Sequence, residues 1–499
     1  MPPPPNGSRG FNRREFLTLA GAATLAASAG TQLEAHAGAP QAAPTPQRKS
    51  PFPPDFLWGA ASSAYQIEGA TRTDGRGESV WDTFVLKPGA IWSGHHAGTA
   101  CDHYHRYRED VALMRAVGLR AYRFSVSWPR VLPDGAGRVN EKGLDFYRRL
   151  VDELISAGIA PFLTLFHWDF PLPLYTRGGW LNRESADWFA EYAGVLARAL
   201  GDRVTHWLTI NEPQDLIGSG HVTGVHAPGD KLTLAAALRA GHHLLLAHGK
   251  AVQAIRANAR RTVRVSWAPV GVNAFPATDS EADIAAARRA TFSVKSPETW
   301  NSAWWMDPVF LGRYPQEGIE AYGADAPEVR AGDMENISAP LDFCAINVYA
   351  GRRVRAGADG QPESVPPEVG DPITAFDWPV TPQALRWAPH FFYERYKLPL
   401  LISENGLSCR DWISLDGAVH DMQRIDFTAR YLRELQRAMA GGVPVEGYFH
   451  WTFMDNFEWA QGYKHRFGMV FVDFPTQQRI LKDSARWYSK VIASNGETL

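Results

Sequence analysis

After residue 50, short apolar runs alternate with longer amphipathic segments along the chain. Most of these runs end in polar or aromatic residues, and the segments between them place apolar residues three and four positions apart, which is typical of helices. The clearest helices are predicted over residues 145–158, 183–200, 234–259 and 424–442. The runs predict eight strands, at residues 56–69, 119–128, 160–168, 204–213, 263–273, 341–349, 398–406 and 445–456.

Eight strand–helix units, with strands buried on both faces, predict a (β/α)8 barrel. An open, doubly wound sheet is the alternative, but it would carry a glycine-rich phosphate loop at its first turn. No such loop follows the first predicted strand. The sequence therefore favours one (β/α)8 TIM barrel over residues 51–499, with its chemistry at the C-terminal ends of the strands.

Two glutamates stand at the ends of predicted strands. Glu404 follows the apolar run of "PLLISENGL", and Glu212 follows that of "LTINEPQ", where Pro213 ends the strand. The fourth and seventh strands face each other across such a barrel, so the two carboxylates would face across a pocket. That is the arrangement glycoside hydrolysis uses, with one acid protonating the leaving oxygen and the second carboxylate stabilising or attacking the anomeric carbon. Either glutamate alone would suit a salt bridge at the rim equally well.

A nucleophilic carboxylate must stay ionised, and a nearby cation favours the ionised form. Arg123, expected at the end of "AYRFSVSW", is the candidate for that cation. The acid, in contrast, needs a pKa raised by burial and by the neighbouring anion. In a retaining enzyme the two carboxyl groups lie about 5–5.5 Å apart.

The two glutamate motifs belong to a larger set of blocks. The chain contains "FPPDFLWGAASSAYQIEGA", "YRFSVSWPRVLP", "TLFHWDFPLPL", "TINEPQ", "ISENGL" and "GYFHWTFMDNFEWAQGYKHRFGMVFVDFPTQQR" in this order. Together they resemble glycoside hydrolase family 1, the β-glucosidase family, from Phe52 to about Ile492. The resemblance implies a retaining β-glycosidase, and within that class a β-glucosidase acting on terminal non-reducing β-D-glucosyl residues, with galactosyl and fucosyl residues as further substrates.

The resemblance also implies a role for each matching position. Glu212 would be the acid/base and Glu404 the nucleophile. Arg123 and Tyr349 would hold the nucleophile ionised and oriented, and Asn347 would support the acid/base. The residues expected to bind the terminal sugar are Gln66, His167, Asn211, Glu458 and Trp459, with Trp451 as the stacking floor; Trp378 and the polar loop 357–371 would line the entrance.

The departures from the family pattern are small, and the residues that match it restrict the class of substrate that is expected. Ser403 replaces the usual Thr, Val348 the first Tyr of Asn-Tyr-Tyr, and Leu172 a common Gln. Relatives that act on 6-phospho-sugars carry Ser where this chain has Glu458, followed by Lys and Tyr where it has His465 and Phe467. An anionic Glu458 would also repel a phosphate. Because Glu212 is not replaced by Gln, as it is in thioglucosidases, O-glycosides of an unphosphorylated sugar are expected.

The N-terminal segment predicts export. Residues 12–30 place Arg13-Arg14 before a small-residue apolar run, and "AHA" at 35–37 offers a cleavage site. This order is typical of a Tat-type signal peptide, and the apolar run is too short to span a bilayer. We therefore expect a signal over residues 1–37, a Pro/Ala-rich linker over 38–50, and an exported, periplasmic or secreted protein.

The amino-acid composition excludes several other classes of function. The net charge is −2, from 51 basic and 53 acidic residues, which gives no basic footprint for nucleic acid or an anionic membrane. The 18 Trp residues suit both sugar stacking and a large core. The three cysteines, Cys101, Cys344 and Cys409, show no metal-ligand spacing and cannot complete a disulfide framework, although a Cys101 pairing stays open. No cofactor or metal is expected, and the partner is a small β-glycoside or cello-oligosaccharide, in keeping with cellulose degradation.

Two further functions fit the same fold. A transglycosylase would use the same two glutamates and differ only in its affinity for acceptors. A non-catalytic sugar-binding barrel would be expected to lose at least one carboxylate, and both are present. The sequence leaves the natural aglycone, the oligomeric state and cleavage of the signal undetermined.

Overall fold

The computed structural model describes residues 51–499, and its centre is a barrel of eight parallel strands. Neighbours pair in the order β5-β4-β3-β2-β1-β8-β7-β6. This confirms the predicted TIM barrel. The strands are β1 (Leu57–Ala61), β2 (Ala121–Ser125), β3 (Ala160–Phe166), β4 (His206–Asn211), β5 (Arg264–Ala268), β6 (Cys344–Asn347), β7 (Leu400–Asn405) and β8 (Val445–Trp451).

The remaining seam, between β5 and β6, is closed by a side chain and by the residues that follow β5. The Ser266 hydroxyl donates to the carbonyl of Phe343 at 2.7 Å, beside a backbone bond from the Asp342 amide to Val265 O at 3.0 Å. Beyond the strand end, the Asn347 amide donates to Pro269 O at 3.0 Å and the Gly271 amide donates to Asn347 O at 2.8 Å. The seam therefore brings Asn347 to the same rim as the ends of β4 and β7.

Helices surround the barrel because each presents an apolar stripe to the outer face of the strands. The main helices that follow β1 to β8 in turn are His103–Val117, Glu141–Ser156, Ser185–Leu200, Leu234–Asn258, Glu281–Phe292 with Ala303–Leu311, Ala384–Tyr396, Met422–Ala440 and Asp483–Ala493. Shorter α-helices are Ala64–Ile67, Val80–Phe84, Trp128–Val131, Leu172–Tyr175, Pro213–Ile217, Gln316–Tyr322 and Asp333–Ile337. Gly218–Val222 forms one π-helical turn, and the 3-10 turns are Trp92–Gly94, Gly179–Leu181, Gly323–Asp325 and Trp459–Gln461.

The inside of the barrel is a packed core and not a pore. Phe162, Leu208, Ala345, Leu401 and Phe449, from five strands, form a buried cluster that is separate from the larger core under the helices. Such inward-pointing layers fill the lower barrel. The polar groups of the C-terminal rim therefore lie above this layer.

Two small sheets lie outside the barrel. Ala274–Pro276, Arg352–Ala356 and Pro362–Ser364 form one, and Val470–Asp473 pairs with Gln478–Leu481 in the other. The predicted first strand, residues 56–69, was too long: the chain leaves the barrel after Ala61, and Gln66 lies on the helix Ala64–Ile67. Arg123 lies in the middle of β2, not at its end as expected.

Two further findings concern residues 51–499 only. None of their helices combines the length and apolar character needed to cross a bilayer. All three cysteines are buried and free, so the Cys101 pairing left open by the sequence is absent, and the Cys101 thiol instead donates to the Asp455 carbonyl at 3.1 Å. The signal and linker predicted over residues 1–50 lie outside the described part of the chain.

Candidate active site

A cleft of about 920 Å³ opens at the C-terminal ends of the strands. Nine of the twelve predicted site residues line it: His167, Glu212, Asn347, Tyr349, Trp378, Glu404, Trp451, Glu458 and Trp459. The other three, Gln66, Arg123 and Asn211, are buried and reach the cleft through hydrogen bonds to residues that line it. The structure therefore brings all twelve residues to one place.

Glu404 lies near the end of β7, where the strand departs from regular pairing. Leu401 points into the barrel core, so strict alternation would turn Ser403 inward and Glu404 outward. A register shift after Ile402, on both neighbouring strands, changes this alternation, and Glu404 lines the cleft. Irregularities of this kind redirect side chains next to active sites.

The Glu404 carboxylate is held by two donors. Arg123 Nη1 donates to Oε1 at 2.5 Å, and the Tyr349 hydroxyl donates to Oε2 at 2.7 Å. Burial raises the pKa of Glu404 above its usual value, while the charge of Arg123 and the Tyr349 hydrogen bond act in the opposite direction. This environment favours an ionised Glu404 far more than burial alone would.

Glu212 follows β4 directly and has a left-handed backbone, with φ 44° and ψ 70°. Pro213, whose φ suits the first turn of a helix, begins the short helix Pro213–Ile217 immediately after it. A non-glycine residue in this region is uncommon and is found mainly where a side chain must be presented. Burial, the negative charge of Glu404 and that of Asp215 raise the pKa of Glu212 well above its usual value.

Asn347 joins the two glutamates. Its amide nitrogen donates to Glu212 Oε1 at 2.8 Å, and it pairs with Glu404 across β6 and β7. The Ser403 hydroxyl donates to Asn347 Oδ1 at 2.7 Å, which fixes the amide with its nitrogen towards Glu212. Ser403 therefore provides the hydroxyl that its replacement of Thr was expected to keep.

A second set of bonds orients Asn211. Arg123 Nη2 donates to Asn211 Oδ1 at 2.6 Å, and because arginine only donates, the amide nitrogen of Asn211 must face His167, 3.1 Å away. Burial and the charge of Arg123 lower the pKa of His167 well below its usual value, so the imidazole is neutral. Arg123 Nε also donates to Thr164 at 3.0 Å, and one guanidinium thus positions three side chains.

Gln66 and Glu458 form the polar wall on another side. Gln66 Nε2 donates to Glu458 Oε2 at 3.4 Å and to Asn456 at 3.1 Å, and Ser63 donates to Gln66 Oε1 at 2.6 Å. Burial and the negative charges of Glu404 and Asp215 raise the pKa of Glu458 to about 8. The sequence suggested an anionic Glu458, whereas this raised pKa favours its protonated form near neutral pH, which can both donate and accept. A protonated Glu458 would repel a phosphate less than the anion would.

Aromatic rings enclose the cleft. Trp451 at the end of β8 lies parallel to the His167 ring, with centroids 5.7 Å apart, and Trp459 packs on Trp168 at 4.6 Å. Trp378 meets the Tyr349 ring edge-on at 5.2 Å, near the mouth. Flat apolar faces beside fixed hydrogen-bond donors are suited to a sugar ring.

Sequence reasoning missed one polar pair in this cleft. Asp215, three residues after Glu212, lies 3.3 Å from His226 Nδ1, and both side chains line the cleft. The Asp215 pKa is lowered because His226 and the Ser219 hydroxyl outweigh the effect of burial. The carboxylate stands one helical turn after the Glu-Pro step, but no apolar run or strand end pointed to it.

The comparisons with known proteins agree with this geometry. The family model "Glycosyl hydrolase family 1" matches residues 48–497. Beta-glucosidase A of Thermotoga maritima is 44% identical over 452 residues, which cover 89% of this chain and 98% of that protein. Beta-glucosidase A of Acetivibrio thermocellus is 42% identical over 456 residues, covering 90% and 99%.

Solved structures of the Thermotoga maritima protein are also similar. The family 1 β-glucosidase from that organism superposes with a TM-score of 0.82 at 43% identity, covering 89% of this chain and 98% of its own. The complex of the same enzyme with glucoimidazole gives a TM-score of 0.82 at 43% identity and covers 89% and 99%.

Proposed function

The chain belongs to glycosyl hydrolase family 1, and on that premise we propose that Glu404 is the nucleophile and Glu212 the acid/base of a retaining β-glucosidase. The substrate class is the terminal, non-reducing β-D-glucosyl residue of an unphosphorylated O-glycoside. The names of the relatives, which include a 1,4-beta-D-glucan glucohydrolase of Thermotoga neapolitana, support cello-oligosaccharides as substrates and a part in cellulose degradation.

In the first step, a Glu404 oxygen attacks the anomeric carbon and forms a glycosyl ester. The bond from that carbon to the leaving oxygen breaks, and the leaving oxygen takes the proton of Glu212. The Tyr349 and Arg123 donors keep Glu404 ionised before attack, and the raised pKa of Glu212 keeps its proton available near neutral pH.

In the second step, Glu212 is a carboxylate and acts as a base. It removes a proton from water, the water oxygen bonds to the anomeric carbon, and Glu404 departs with the electrons of the ester bond. Once Glu404 is esterified, its negative charge no longer raises the pKa of Glu212, which favours the ionised base. The same residue thus donates a proton in one step and accepts one in the next.

The observation that supports this division of roles is the unequal set of partners around the two glutamates. Glu404 receives a guanidinium and a phenol, whereas Glu212 receives one amide, from Asn347. We propose that His167, Asn211, Gln66 and Glu458 hold the hydroxyls of the terminal sugar, with Trp451 as the floor. Trp378 would then contact the leaving group at the mouth.

The experiment that tests the proposal is labelling with 2-deoxy-2-fluoro-β-D-glucosyl fluoride, followed by intact-protein and peptide mass spectrometry. The fluorine slows both steps, and the fluoride leaving group speeds the first, so the ester accumulates. We expect one adduct, on the peptide that contains Glu404. A folded protein that acquires no adduct, or acquires it on another residue, would show that the assignment is wrong.

We also propose export through a Tat-type signal in residues 1–37. The supporting observation is the order of Arg13-Arg14, a small apolar run and an Ala-x-Ala site. Replacing both arginines with lysine keeps the charge, and should retain β-glucosidase activity in the cytoplasm of a Tat-competent host. Equal export of the two forms would contradict the proposal.

A further inference from the structure

A second groove, of about 1040 Å³, lies beside the catalytic cleft. It runs between the C-terminal part of the helix Glu281–Phe292, the turn after the helix Ala303–Leu311 and the strand Arg352–Ala356. Hydroxyl and amide side chains are spread along it: Ser293, Gln316, Gln361 and Ser364. None of the catalytic residues proposed above lines this groove.

Cations outnumber carboxylates in the groove. Six cationic side chains line it, namely Arg288, Arg289, Lys295, Arg313, Arg352 and Arg395, against the carboxylates Asp307, Glu317 and Glu394. Two of the carboxylates are already paired, Glu394 with Arg288 at 2.8 Å and Asp307 with Arg395 at 2.5 Å. Four cations, all exposed, therefore face one carboxylate, in a chain whose net charge is −2.

The arginines of the strand Arg352–Ala356 lie on two different faces of that strand. Arg353 and Arg355 are paired with carboxylates, Glu368 at 3.0 Å and Glu363 at 3.1 Å. Arg352 and Val354 alternate with them and line the groove. Among the described residues, no carboxylate lies within ion-pair distance of Arg352, Arg313 or Lys295.

Arg352 lines the catalytic cleft as well as the groove, and it follows Tyr349 by three residues. The groove thus meets the cleft at Arg352, on the side that carries Tyr349 and Trp378. We propose that it binds the acidic distal end of an oligosaccharide whose terminal neutral glucose occupies the catalytic cleft. This inference rests on the proposed function and adds a substrate class to it.

The chemistry of the groove favours an acidic sugar chain. Exposed guanidinium groups bind carboxylates or sulfates through paired N–H donors, and the serine and glutamine side chains can bind sugar hydroxyls. A β-glucan chain oxidised at its reducing end carries one carboxylate, remote from the bond that is cut. Its leaving oxygen at the non-reducing end is the same as that of the neutral chain.

This allows a matched pair of substrates: cellotetraose and cellotetraonate, the same chain with its reducing end oxidised to an aldonic acid. At low ionic strength we expect kcat/KM to be about three- to tenfold higher for the acid, the range that a few exposed charge pairs supply. About 0.5 M NaCl should remove most of the preference, because the Debye length falls below the spacing of the charges. The same comparison of neutral and oxidised chains, made with the trimer and the pentamer, measures how far the groove extends from the cleft.

The variants separate the groove from the rest of the surface. Arg313→Gln should halve the preference or more while leaving kcat/KM for cellotetraose unchanged, and Arg352→Gln should reduce the ratio between acid and neutral substrate further. Arg353→Gln, one residue away but paired with Glu368, is the control and should keep the preference. Hydrolysis of cellotetraose with no preference for any acid chain would overturn this inference alone, whereas no hydrolysis of neutral chains would overturn the proposed function. A preference that Arg353→Gln removes equally would show that only overall charge is involved.

Discussion

Removing the Tyr349 hydroxyl tests how Glu404 stays ionised. In Tyr349→Phe the ring keeps its edge-on contact with Trp378, but the 2.7 Å hydrogen bond to Glu404 Oε2 is lost. A hydrogen bond to a charged group contributes about 1.5–3 kcal/mol, and 1.36 kcal/mol corresponds to one pKa unit. Because this bond lowers the pKa of Glu404 against the effect of burial, its loss should raise that pKa by about 1–2 units.

The assay is the pH dependence of kcat/KM for an aryl β-glucoside, whose acidic limb reports ionisation of the nucleophile in the free enzyme. The acidic limb should move to higher pH by the amount given above. Tyr448→Phe is the matched control: it removes a buried hydroxyl that donates to Asn405 Oδ1 at 2.8 Å, next to Glu404 in the chain but not on its carboxylate. An acidic limb that stays in place in Tyr349→Phe, or that moves equally in both variants, would refute the reasoning.

Three further changes probe the acid/base, its surroundings and the fold. Glu212→Ala should slow hydrolysis of alkyl glucosides by about 10²–10⁴-fold and that of dinitrophenyl glucoside far less, since a good leaving group needs no proton; equal losses would exclude the acid role. Asp215→Asn removes an anion that raises the pKa of Glu212, so the basic limb of kcat/KM should move to lower pH, and an unmoved limb would contradict this. Lys482→Met removes a buried cation that lies 2.6 Å from Asp411 and 2.7 Å from Asp455. Denaturant unfolding should show that the free energy of unfolding falls by about 3–5 kcal/mol, because two buried carboxylates lose a partner. A fall below about 1 kcal/mol would argue against this role of Lys482.

The barrel could be predicted because its strands are buried on both faces and read as continuous apolar runs. The same continuity hides where each strand ends. Nothing in "FLWGAASSAYQIEG" distinguishes β1 from the helix that carries Gln66, since small and apolar residues suit both. The segments that follow β5 and β6 form the second groove. Their strands are short and have few apolar positions, so the sequence shows no periodicity that would predict them.

The two glutamates could be predicted from their position after apolar runs, but their partners could not. Strict alternation in β7 would have given the inward position to Ser403, and only the register shift seen in three dimensions shows why Glu404 faces the cleft. Asp215 and His226 meet across a loop, and their pairing leaves no local signal. The strands β4 and β7 are three positions apart in the ring of eight strands. They are therefore closer than two strands that face each other directly across the barrel, as the sequence analysis expected them to be.

The charges of the cleft support the opposite roles that we propose for its two catalytic glutamates. Glu212, Glu404 and Glu458 share one cleft, and Glu404 is the one that Arg123 contacts directly. Negative charge is therefore least costly on Glu404, and its presence there raises the pKa of both other carboxyl groups. Among these three glutamates, the arrangement then favours one anion, one acid that can protonate the leaving oxygen, and one acid able to donate to a sugar hydroxyl. Above about pH 8, the pKa of Glu458, the hydrogen bond that Glu458 donates is lost, and activity should fall with it.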